Sequence, residues 1–347
     1  MKSIDLRSDT VTLPTTEMRE AIYEAELGDD VFSEDPTINR FENMAAERMG
    51  KESALFVVSG TMGNLVCSLT HCARGEEVIL GDRSHMFLNE AGGMSALGGI
   101  HPHIVANQSD GTMRLEDIEG AIRGSNVHYP RTRLICLENT HNSCNGAALP
   151  AEYIESVAAV AKSHGLSLHL DGARIFNAAV ALGVDVKELT RCVDSVSFCL
   201  SKGLSAPVGS AVCGSSEFIA EARRTRKVLG GGMRQAGIIA AAGIVAMEQM
   251  VERLAEDHAN ARRLAEGIDQ IEGLCINAAA VQTNIIYFDL VSDKLDIETF
   301  VKKLEKKGVR LLHIGGPRRC RAVAHYGIEA EDIDVTLAAM REVIEES

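Results

Sequence analysis

The stretch from Ser195 to Gly203 reads Ser-Val-Ser-Phe-Cys-Leu-Ser-Lys-Gly, and the fold prediction starts from it. A short apolar run of this kind, bounded by small turn-forming residues, is typical of a buried strand. Because open α/β sheets keep their ligand sites at the carboxyl ends of strands, we expect Lys202 to point into a cleft. Its ammonium group could reach water or pair with a carboxylate. Alternatively, a desolvated amine beside other cations could form a Schiff base with a carbonyl compound.

Together with this stretch, seven β-favouring runs alternate with helical patterns along the chain. The strand candidates lie at 54–59, 77–81, 103–106, 134–137, 167–170, 196–200 and 211–213, and the helical patterns at 62–73, 90–96, 115–122 and 151–164. This alternation predicts an α/β fold with a mostly parallel seven-stranded sheet covered by helices on both faces.

The remaining sequence predicts a second, smaller domain. A long amphipathic helix is expected at 235–271, followed by strands at 283–290 and 309–314 and helices at 297–307 and 333–346. A chain of 347 residues exceeds the usual size of a single core. We therefore divide it into residues 1–235, an N-terminal segment plus the large domain, and residues 236–347, the connecting helix plus a small α+β domain.

The composition excludes several classes of protein. A net charge of −14 argues against binding nucleic acid or an anionic membrane through a basic surface. The sequence has no apolar run long enough to span a membrane and no apolar core of a signal peptide, so we expect a cytoplasmic protein that acts on small molecules. The nine cysteines show no Cys-x-x-Cys spacing, so neither a disulfide framework nor a metal site is predicted.

The segment Ser59–Asn64, Ser-Gly-Thr-Met-Gly-Asn, joins a predicted strand to a predicted helix. Backbone N–H groups near Gly60 and the hydroxyl of Thr61 could surround an oxyanion at the start of that helix. Because the segment lacks the lysine of a nucleotide-binding loop, a phosphate without a nucleotide fits best. A tight turn with a helix cap is the alternative.

Two further side chains follow strands at the same predicted sheet edge. His85 comes after the strand at 77–81, where its imidazole could stack on an aromatic ring or form hydrogen bonds at the surface. Asp171 ends an apolar strand, and burying its carboxylate requires a positive partner. A pyridinium N–H would serve, and keeping that nitrogen protonated makes the ring a stronger electron sink. A structural ion pair with Arg174 is the other possibility.

A phosphate cradle, a stacking histidine, a strand-end aspartate and a strand-end lysine occur in this order, which is the set needed to hold pyridoxal 5'-phosphate. Over essentially its whole length the chain resembles the pyridoxal-phosphate enzymes of fold type I, and among them the low-specificity L-threonine aldolases. The matching stretches lie at 4–12, 28–31, 35–37, 59–64, 138–141, 169–177, 201–204 and 230–235.

The resemblance implies a role for each matching residue. These roles are Lys202 as the Schiff-base lysine, Asp171 at the pyridine nitrogen, His85 stacked on the ring, Gly60 and Thr61 at the phosphate, Ser8, Arg174 and Arg321 at the substrate carboxylate, and His128 as a second active-site histidine. Arg174 also counts among the cofactor-binding residues. Lys227 and Arg234 match residues that the family supplies to the cofactor from a neighbouring subunit, which implies at least a homodimer and commonly a dimer of dimers.

Some positions depart from the family pattern. Phe32-Ser33 stands where Tyr-Gly is frequent, and Val58 where proline is common. The setting of Arg321 also differs, and Arg319 is a rival for the substrate carboxylate.

The resemblance implies retro-aldol cleavage of L-threonine, L-allo-threonine and related β-hydroxy-α-amino acids to glycine and an aldehyde. The base could be His85, His128 or a water molecule. The alternatives are β-elimination or a specialised phenylserine-type aldolase on the same cofactor, or a non-catalytic binding protein on the same fold.

Overall fold

The computed structural model describes residues 3–314 and 316–346. The strands in these ranges are β1 (Ile4–Asp5), β2 (Ser53–Val57), β3 (Glu77–Gly81), β4 (His101–Val105), β5 (Thr132–Glu138), β6 (Ser167–Asp171), β7 (Ser195–Cys199), β8 (Ser210–Gly214), β9 (Leu274–Cys275), β10 (Ile285–Leu290), β11 (Val309–Arg310), β12 (Leu312–His313) and β13 (Arg319–Val323).

The α-helices of the described residues surround these strands. They are α1 (Thr16–Glu24), α2 (Pro36–Met49), α3 (Gly60–His71), α4 (His85–Leu88), α5 (Gly93–Ala96), α6 (Leu115–Ala121), α7 (Ala151–Ser163), α8 (Ile175–Leu182), α9 (Val186–Thr190), α10 (Ser216–Val228), α11 (Gly237–Val245), α12 (Leu254–Asp269), α13 (Ile297–Lys306) and α14 (Ala330–Glu345). Short 3-10 helices lie at Asp9–Val11, Asp30–Phe32 and Ala278–Ala280.

The large sheet has seven strands in the order β2-β8-β7-β6-β5-β3-β4. Strand β8 runs antiparallel to both of its neighbours, and the other pairings are parallel. This confirms the predicted mostly parallel seven-stranded sheet. The parallel strands direct their carboxyl ends to one edge, where loops can assemble a site.

Local sequence explains where the helices next to that edge begin. Helix α3 starts at Gly60, and the Ser59 hydroxyl accepts a hydrogen bond from the Met62 N–H. Helix α2 starts with Pro36 after Asp35, whose carboxylate accepts hydrogen bonds from two N–H groups of the first turn. Such caps satisfy backbone donors that have no partner inside the helix.

The predicted single helix at 235–271 is wrong. Helix α11 passes into a π-helical turn at Ala246–Met250, and α12 begins only at Leu254. The two helices also pack in different places, since Ala236–Leu254 contributes side chains to the core of the large sheet whereas Ala261–Ile268 packs in a second core. An apolar pattern predicts helix but does not show which core each turn faces.

The second core belongs to a four-stranded antiparallel sheet of order β12-β13-β10-β9, covered by α12, α13 and α14. Strand β13 was missed because Arg319 and Arg321 give Arg319–Val323 a charged appearance. Near the amino terminus, β1 pairs with β11, and Ile4 and Leu6 pack in this second core. The division between residues 235 and 236 stays a prediction.

None of the helices within the described ranges has the length and apolarity that crossing a membrane would require.

Two helical glycines differ in the space around them and give a matched test of the packing. A Cβ added to Gly243 in α11 would lie 2.8 Å from Phe41 and 2.9 Å from Leu200. A Cβ added to Gly120 in α6 would meet nothing within 4 Å. We expect Gly243→Ala to lower the free energy of unfolding by about 1–3 kcal/mol through overpacking. Gly120→Ala should raise it by about 0.5–1 kcal/mol. Thermal denaturation at equal protein concentration measures both changes, and equal changes would contradict this packing.

Candidate active site

The carboxyl ends of β3, β5, β6 and β7 meet at one edge of the large sheet and carry the predicted site residues. In the pairing register, Asp171 at the end of β6 lies beside Glu138 of β5 on one side and beside Ser197 of β7 on the other. Lys202 follows β7 in the next turn, where its carbonyl oxygen accepts hydrogen bonds from the Thr12 hydroxyl and the Ser205 N–H. The sheet therefore brings the strand-end lysine and the strand-end aspartate to the same edge.

The carboxylate of Asp171 is buried and held by two donors. Its Oδ2 accepts a hydrogen bond of 2.8 Å from the Asn64 amide, and its Oδ1 accepts one of 3.0 Å from the Ala173 N–H. Arg174 does not pair with it, so the alternative of an Asp171–Arg174 ion pair is wrong. A buried anion without a bonded cation leaves room for a positively charged group.

His85 begins α4 and is held by two carboxylates. Its backbone N–H donates to Glu138 Oε2 at 2.6 Å, and its ring Nδ1 lies 2.8 Å from Glu90 Oε1. The hydrogen bond with Glu90 raises the pKa of His85, although burial opposes the shift. Burial raises the pKa of Glu90. One ring nitrogen of His85 and one carboxylate oxygen each of Glu90 and Asp171 lie within 4.8 Å of one another, so the imidazole is next to the strand-end carboxylate.

The start of α3 is the segment that the sequence predicts to bind a phosphate. Its first N–H groups have no intrahelical partner, and those of Gly60 and Thr61 belong to this set. A Cβ on Gly60 would lie 2.7 Å from Cys199 Sγ, so only glycine brings the backbone this close to the end of β7. The buried hydroxyl of Ser210 has no hydrogen-bond partner in the described part of the chain. The helix start and this hydroxyl fit a phosphate.

Arg174 is buried and forms a bidentate ion pair with Asp9. Its Nε and Nη2 donate to the two carboxylate oxygens at 2.7 and 2.6 Å. Asn284 of the small domain also donates to Asp9, at 3.3 Å. Although burial opposes ionisation, the guanidinium of Arg174 holds the pKa of Asp9 well below its usual range. Ser8 lies beside this pair, with its hydroxyl 3.5 Å from Asp9 Oδ1.

Arg321 and Arg319 have different surroundings. Arg321 is buried, donates to the Asn142 side chain and the Arg7 carbonyl at 3.1 Å each, and has no partner for its Nε among the described residues. Arg319 is bound to Asp289 at 3.0 and 3.1 Å and is half-exposed. Only Arg321 keeps a buried donor available, which favours it over Arg319 as a carboxylate ligand.

Three of the predicted residues are not brought to this edge within one chain. Lys227 and Arg234 are exposed, and Arg234 pairs with Asp29 at 3.2 Å. His128 lies in an exposed turn ahead of β5, whereas the site lies beyond the other end of that strand. A seven-residue strand is about 20 Å long, so the turn and the site lie at opposite edges. The roles of these three residues stay predictions.

Sequence reasoning missed three residues that hold the site together: Asn64, Glu90 and Asp9. Asn64 ends the segment Ser59–Asn64, in which the sequence predicts roles only for Gly60 and Thr61. Glu90 follows His85 by five residues, and Asp9 follows Ser8. The signal for Asn64 was its position four residues after Gly60, which places both at the same face of α3.

The residues present fit pyridoxal 5'-phosphate. Lys202 would supply the amine, the buried carboxylate of Asp171 would face the pyridine nitrogen with His85 beside it, and the start of α3 with Ser210 would suit the phosphate. This sheet and this set of side chains define a class, the pyridoxal-phosphate-dependent enzymes of fold type I.

Comparison with known proteins narrows the class. The family described as "Beta-eliminating lyase" matches residues 5–290. The chain is 51% identical to low-specificity L-threonine aldolase 1 of Arabidopsis thaliana, over 99% of this chain and 97% of that one. It is 51% identical to the low specificity L-threonine aldolase of Escherichia coli K12, over 76% of this chain and 78% of that one. The chain therefore belongs to the beta-eliminating lyase family, which confirms the resemblance to its threonine aldolases.

Solved structures agree on the fold. The threonine aldolase of Leishmania major superposes with a TM-score of 0.84 at 18% identity, covering 98% of this chain and 99% of that one. A putative L-allo-threonine aldolase of Listeria monocytogenes superposes with a TM-score of 0.81 at 21% identity, covering 99% and 97%. The predicted fold type I architecture is thus confirmed.

The Asp9–Arg174 pair predicts how the chain responds to losing one partner. Asp9→Ala leaves a buried guanidinium without its carboxylate, so we expect the free energy of unfolding to fall by about 3–5 kcal/mol. The double variant Asp9→Leu with Arg174→Met removes both charges and should recover most of the loss. Thermal denaturation of the cofactor-free protein near pH 7 measures both. A double variant less stable than Asp9→Ala would contradict this prediction.

The His85–Glu90 hydrogen bond predicts a measurable titration. In the cofactor-free protein the pKa of His85 should lie above 6.5, since Glu90 favours the imidazolium. Glu90→Gln should lower it, because burial then acts without the carboxylate. The pair's contribution to stability is fully present below about pH 6.5 and is lost as the pH rises through the folded pKa. Histidine NMR titration of both proteins checks this, and identical His85 curves would contradict it.

Proposed function

We propose that this protein is an aldehyde-lyase that cleaves L-threonine, L-allo-threonine and related β-hydroxy-α-amino acids to glycine and an aldehyde. The observation that carries the proposal is the pairing of β6 with β7, which sets the buried carboxylate of Asp171 at the same edge as Lys202. The identity of 51% to relatives named low-specificity L-threonine aldolases supports this substrate class.

Pyridoxal 5'-phosphate, when bound, supplies an electron sink for the carbon–carbon bond that breaks. Lys202 would hold its aldehyde carbon, and Asp171 would keep the pyridine nitrogen protonated. The N–H groups of Gly60 and Thr61 would hold the phosphate at the start of α3. Within this arrangement His85 would lie against the ring.

Two arginines would orient the substrate carboxylate. Arg321 has a buried Nε donor without a partner, and a carboxylate would satisfy it. Two nitrogens of Arg174 are committed to Asp9, which leaves Nη1 for a ligand. Ser8 lies next to the same pair and would add a hydroxyl donor. By fixing the carboxylate, these residues would orient the substrate and so select which bond to the α-carbon breaks.

A base must take the proton of the substrate β-hydroxyl, and His85 is the candidate that this chain places at the site. An ionised Glu90 accepts a hydrogen bond from Nδ1–H of His85, and in the neutral ring this leaves the lone pair on Nε2 free to accept a proton. His128 remains a candidate only if a neighbouring chain brings it to the site. A water molecule is the third possibility.

The complete enzyme would be a homo-oligomer, at least a dimer and in our proposal a dimer of dimers. The exposed positions of Lys227 and Arg234 leave both side chains available to a neighbouring subunit. Large apolar side chains are also exposed on the same chain: Leu13, Tyr23, Phe32 and Val228. A cytoplasmic location is part of the proposal and follows from the sequence prediction alone.

The reaction itself can be tested with the protein reconstituted with pyridoxal 5'-phosphate. We expect L-threonine to give glycine and acetaldehyde in equal amounts, and borohydride reduction to attach the cofactor to Lys202. Lys202→Ala should abolish both results, whereas Lys162→Ala, at an exposed position on α7, should change neither. Ammonia and a keto acid as the products would instead indicate β-elimination.

The identity of the base can be tested with His85→Asn and His128→Asn. A general base contributes roughly 10²–10⁴-fold, so the variant that lacks it should lose about that much in kcat. We expect the larger loss for His85→Asn. Near-normal turnover in both variants would exclude an imidazole base and favour water.

A further inference from the structure

Asn64 has an orientation that its neighbours determine. Its side-chain nitrogen donates to Asp171 Oδ2 and to Glu90 Oε1, both at 2.8 Å. Because ionised carboxylates only accept hydrogen bonds, the other end of the amide must be its oxygen. That oxygen then accepts from two groups deeper in the protein, the Ser197 hydroxyl at 2.7 Å and His169 Nε2 at 3.2 Å.

The hydrogen bonds continue from His169 away from the cofactor site. His169 is fully buried, and its Nδ1 lies 2.9 Å from the Ser195 hydroxyl. The same hydroxyl lies 2.8 Å from His71 Nε2 at the end of α3. His71 is partly exposed, and its ring stacks on Phe218 at a centroid distance of 4.5 Å. We name His71, Ser195, His169 and Asn64, in this order, the donor chain.

Every hydrogen in the donor chain points the same way. Burial lowers the pKa of His169 and of His71 to about 4, so both rings are neutral at pH 7. Since His169 Nε2 donates to Asn64, its Nδ1 must accept from Ser195. The Ser195 oxygen then accepts from His71. Each member donates to the next one towards Asp171, and the last donor reaches the carboxylate itself.

Aligned hydrogen bonds in a medium of low dielectric constant polarise one another and stabilise the charge at their acceptor end. An apolar core at these positions would avoid the cost of burying four polar side chains. The polar alternative instead directs one dipole after another at Asn64, which donates one hydrogen to Glu90 and the other to the carboxylate of Asp171. Stabilising that carboxylate in its ionised form favours a protonated pyridine nitrogen over a neutral carboxylic acid beside a neutral ring.

We infer that the donor chain is a positioning network that keeps Asp171 ionised and thereby fixes the proton on the ring nitrogen of the cofactor, an inference that rests on the proposed function. Its members act on the cofactor through Asp171 and are positioning residues. The donor chain connects the active site to His71 at the end of α3.

The test uses full-length protein reconstituted with pyridoxal 5'-phosphate labelled with ¹⁵N in the ring. The ¹⁵N NMR signal reports how far the proton has moved from the nitrogen. We expect the wild-type signal to be that of a protonated ring. Ser195→Ala should move it towards the unprotonated value and Asn64→Leu should move it further. The loss of a hydrogen bond to a charged group should lower kcat of Asn64→Leu about ten- to a hundredfold, with less change in KM.

Two comparisons separate this role from a merely structural one. Ser195→Thr keeps the hydroxyl and should restore the wild-type signal. Ser68→Ala removes a hydroxyl of the same size and burial from α3, where it donates only to the Asn64 backbone, and should leave the signal unchanged. Should Ser195→Ala fail to fold, His71→Phe removes the outermost donor while keeping a ring against Phe218, and should shift the signal in the same direction.

A wild-type signal in both Ser195→Ala and His71→Phe would overturn the inference, as would an equal shift in Ser68→Ala. The NMR measurement does not depend on which products form. If the cofactor binds and its nitrogen responds as expected but threonine is not cleaved, the proposed function fails and the donor chain stands. If threonine is cleaved and the nitrogen does not respond, the donor chain fails alone.

Discussion

The carboxylate of Asp171 is the constraint around which this edge of the sheet is arranged. It ends a buried strand, and no cation of the described chain bonds to it. The protein stabilises it with an amide from α3 and a backbone N–H from the following turn. Neither donor carries a positive charge, and a buried carboxylate is stabilised by a cationic partner. A cofactor with a protonated ring nitrogen would supply that charge. The folded chain therefore leaves this carboxylate without a bonded cation at the edge where the cofactor would bind.

A second buried charge connects the parts of the chain. Asp9 comes from the N-terminal segment, Arg174 from the loop after β6, and Asn284 from the small domain. Their hydrogen bonds hold the guanidinium of Arg174 in place without exposing it to water, so a ligand bound there would cost it little further rotational freedom. The N-terminal segment and both sheets thus meet at one buried ion pair, and Ile4 and Leu6 of the same segment pack in the second core.

Much of the fold could be predicted from the sequence. All seven strands of the large sheet were located, because strands buried on both faces are short, mostly apolar runs that can be recognised without knowing which strand each one pairs with. The wrong predictions lie where the apolar pattern does not show which part of the protein a segment packs against. One helix was predicted through 235–271, but the α-helix is interrupted before Leu254, and its two halves pack in different cores. Strand β13 was missed because Arg319 and Arg321 interrupt the apolar pattern, although Arg321 is buried and Arg319 is paired with Asp289.

The sequence by itself determined which residue types stand at strand ends, and so the class of cofactor, because the sheet edge of each residue follows from its place in the strand. Only the tertiary structure decided how these residues are paired. Arg174 forms its ion pair with Asp9 and not with Asp171, and Arg319 pairs with Asp289 whereas Arg321 keeps a buried donor without a partner among the described residues. His71 is connected to Asn64 through hydrogen bonds with residues of two strands. The physical reason is that a hydrogen bond depends on distances of about 3 Å and on direction, and these are set by packing between segments far apart in the chain.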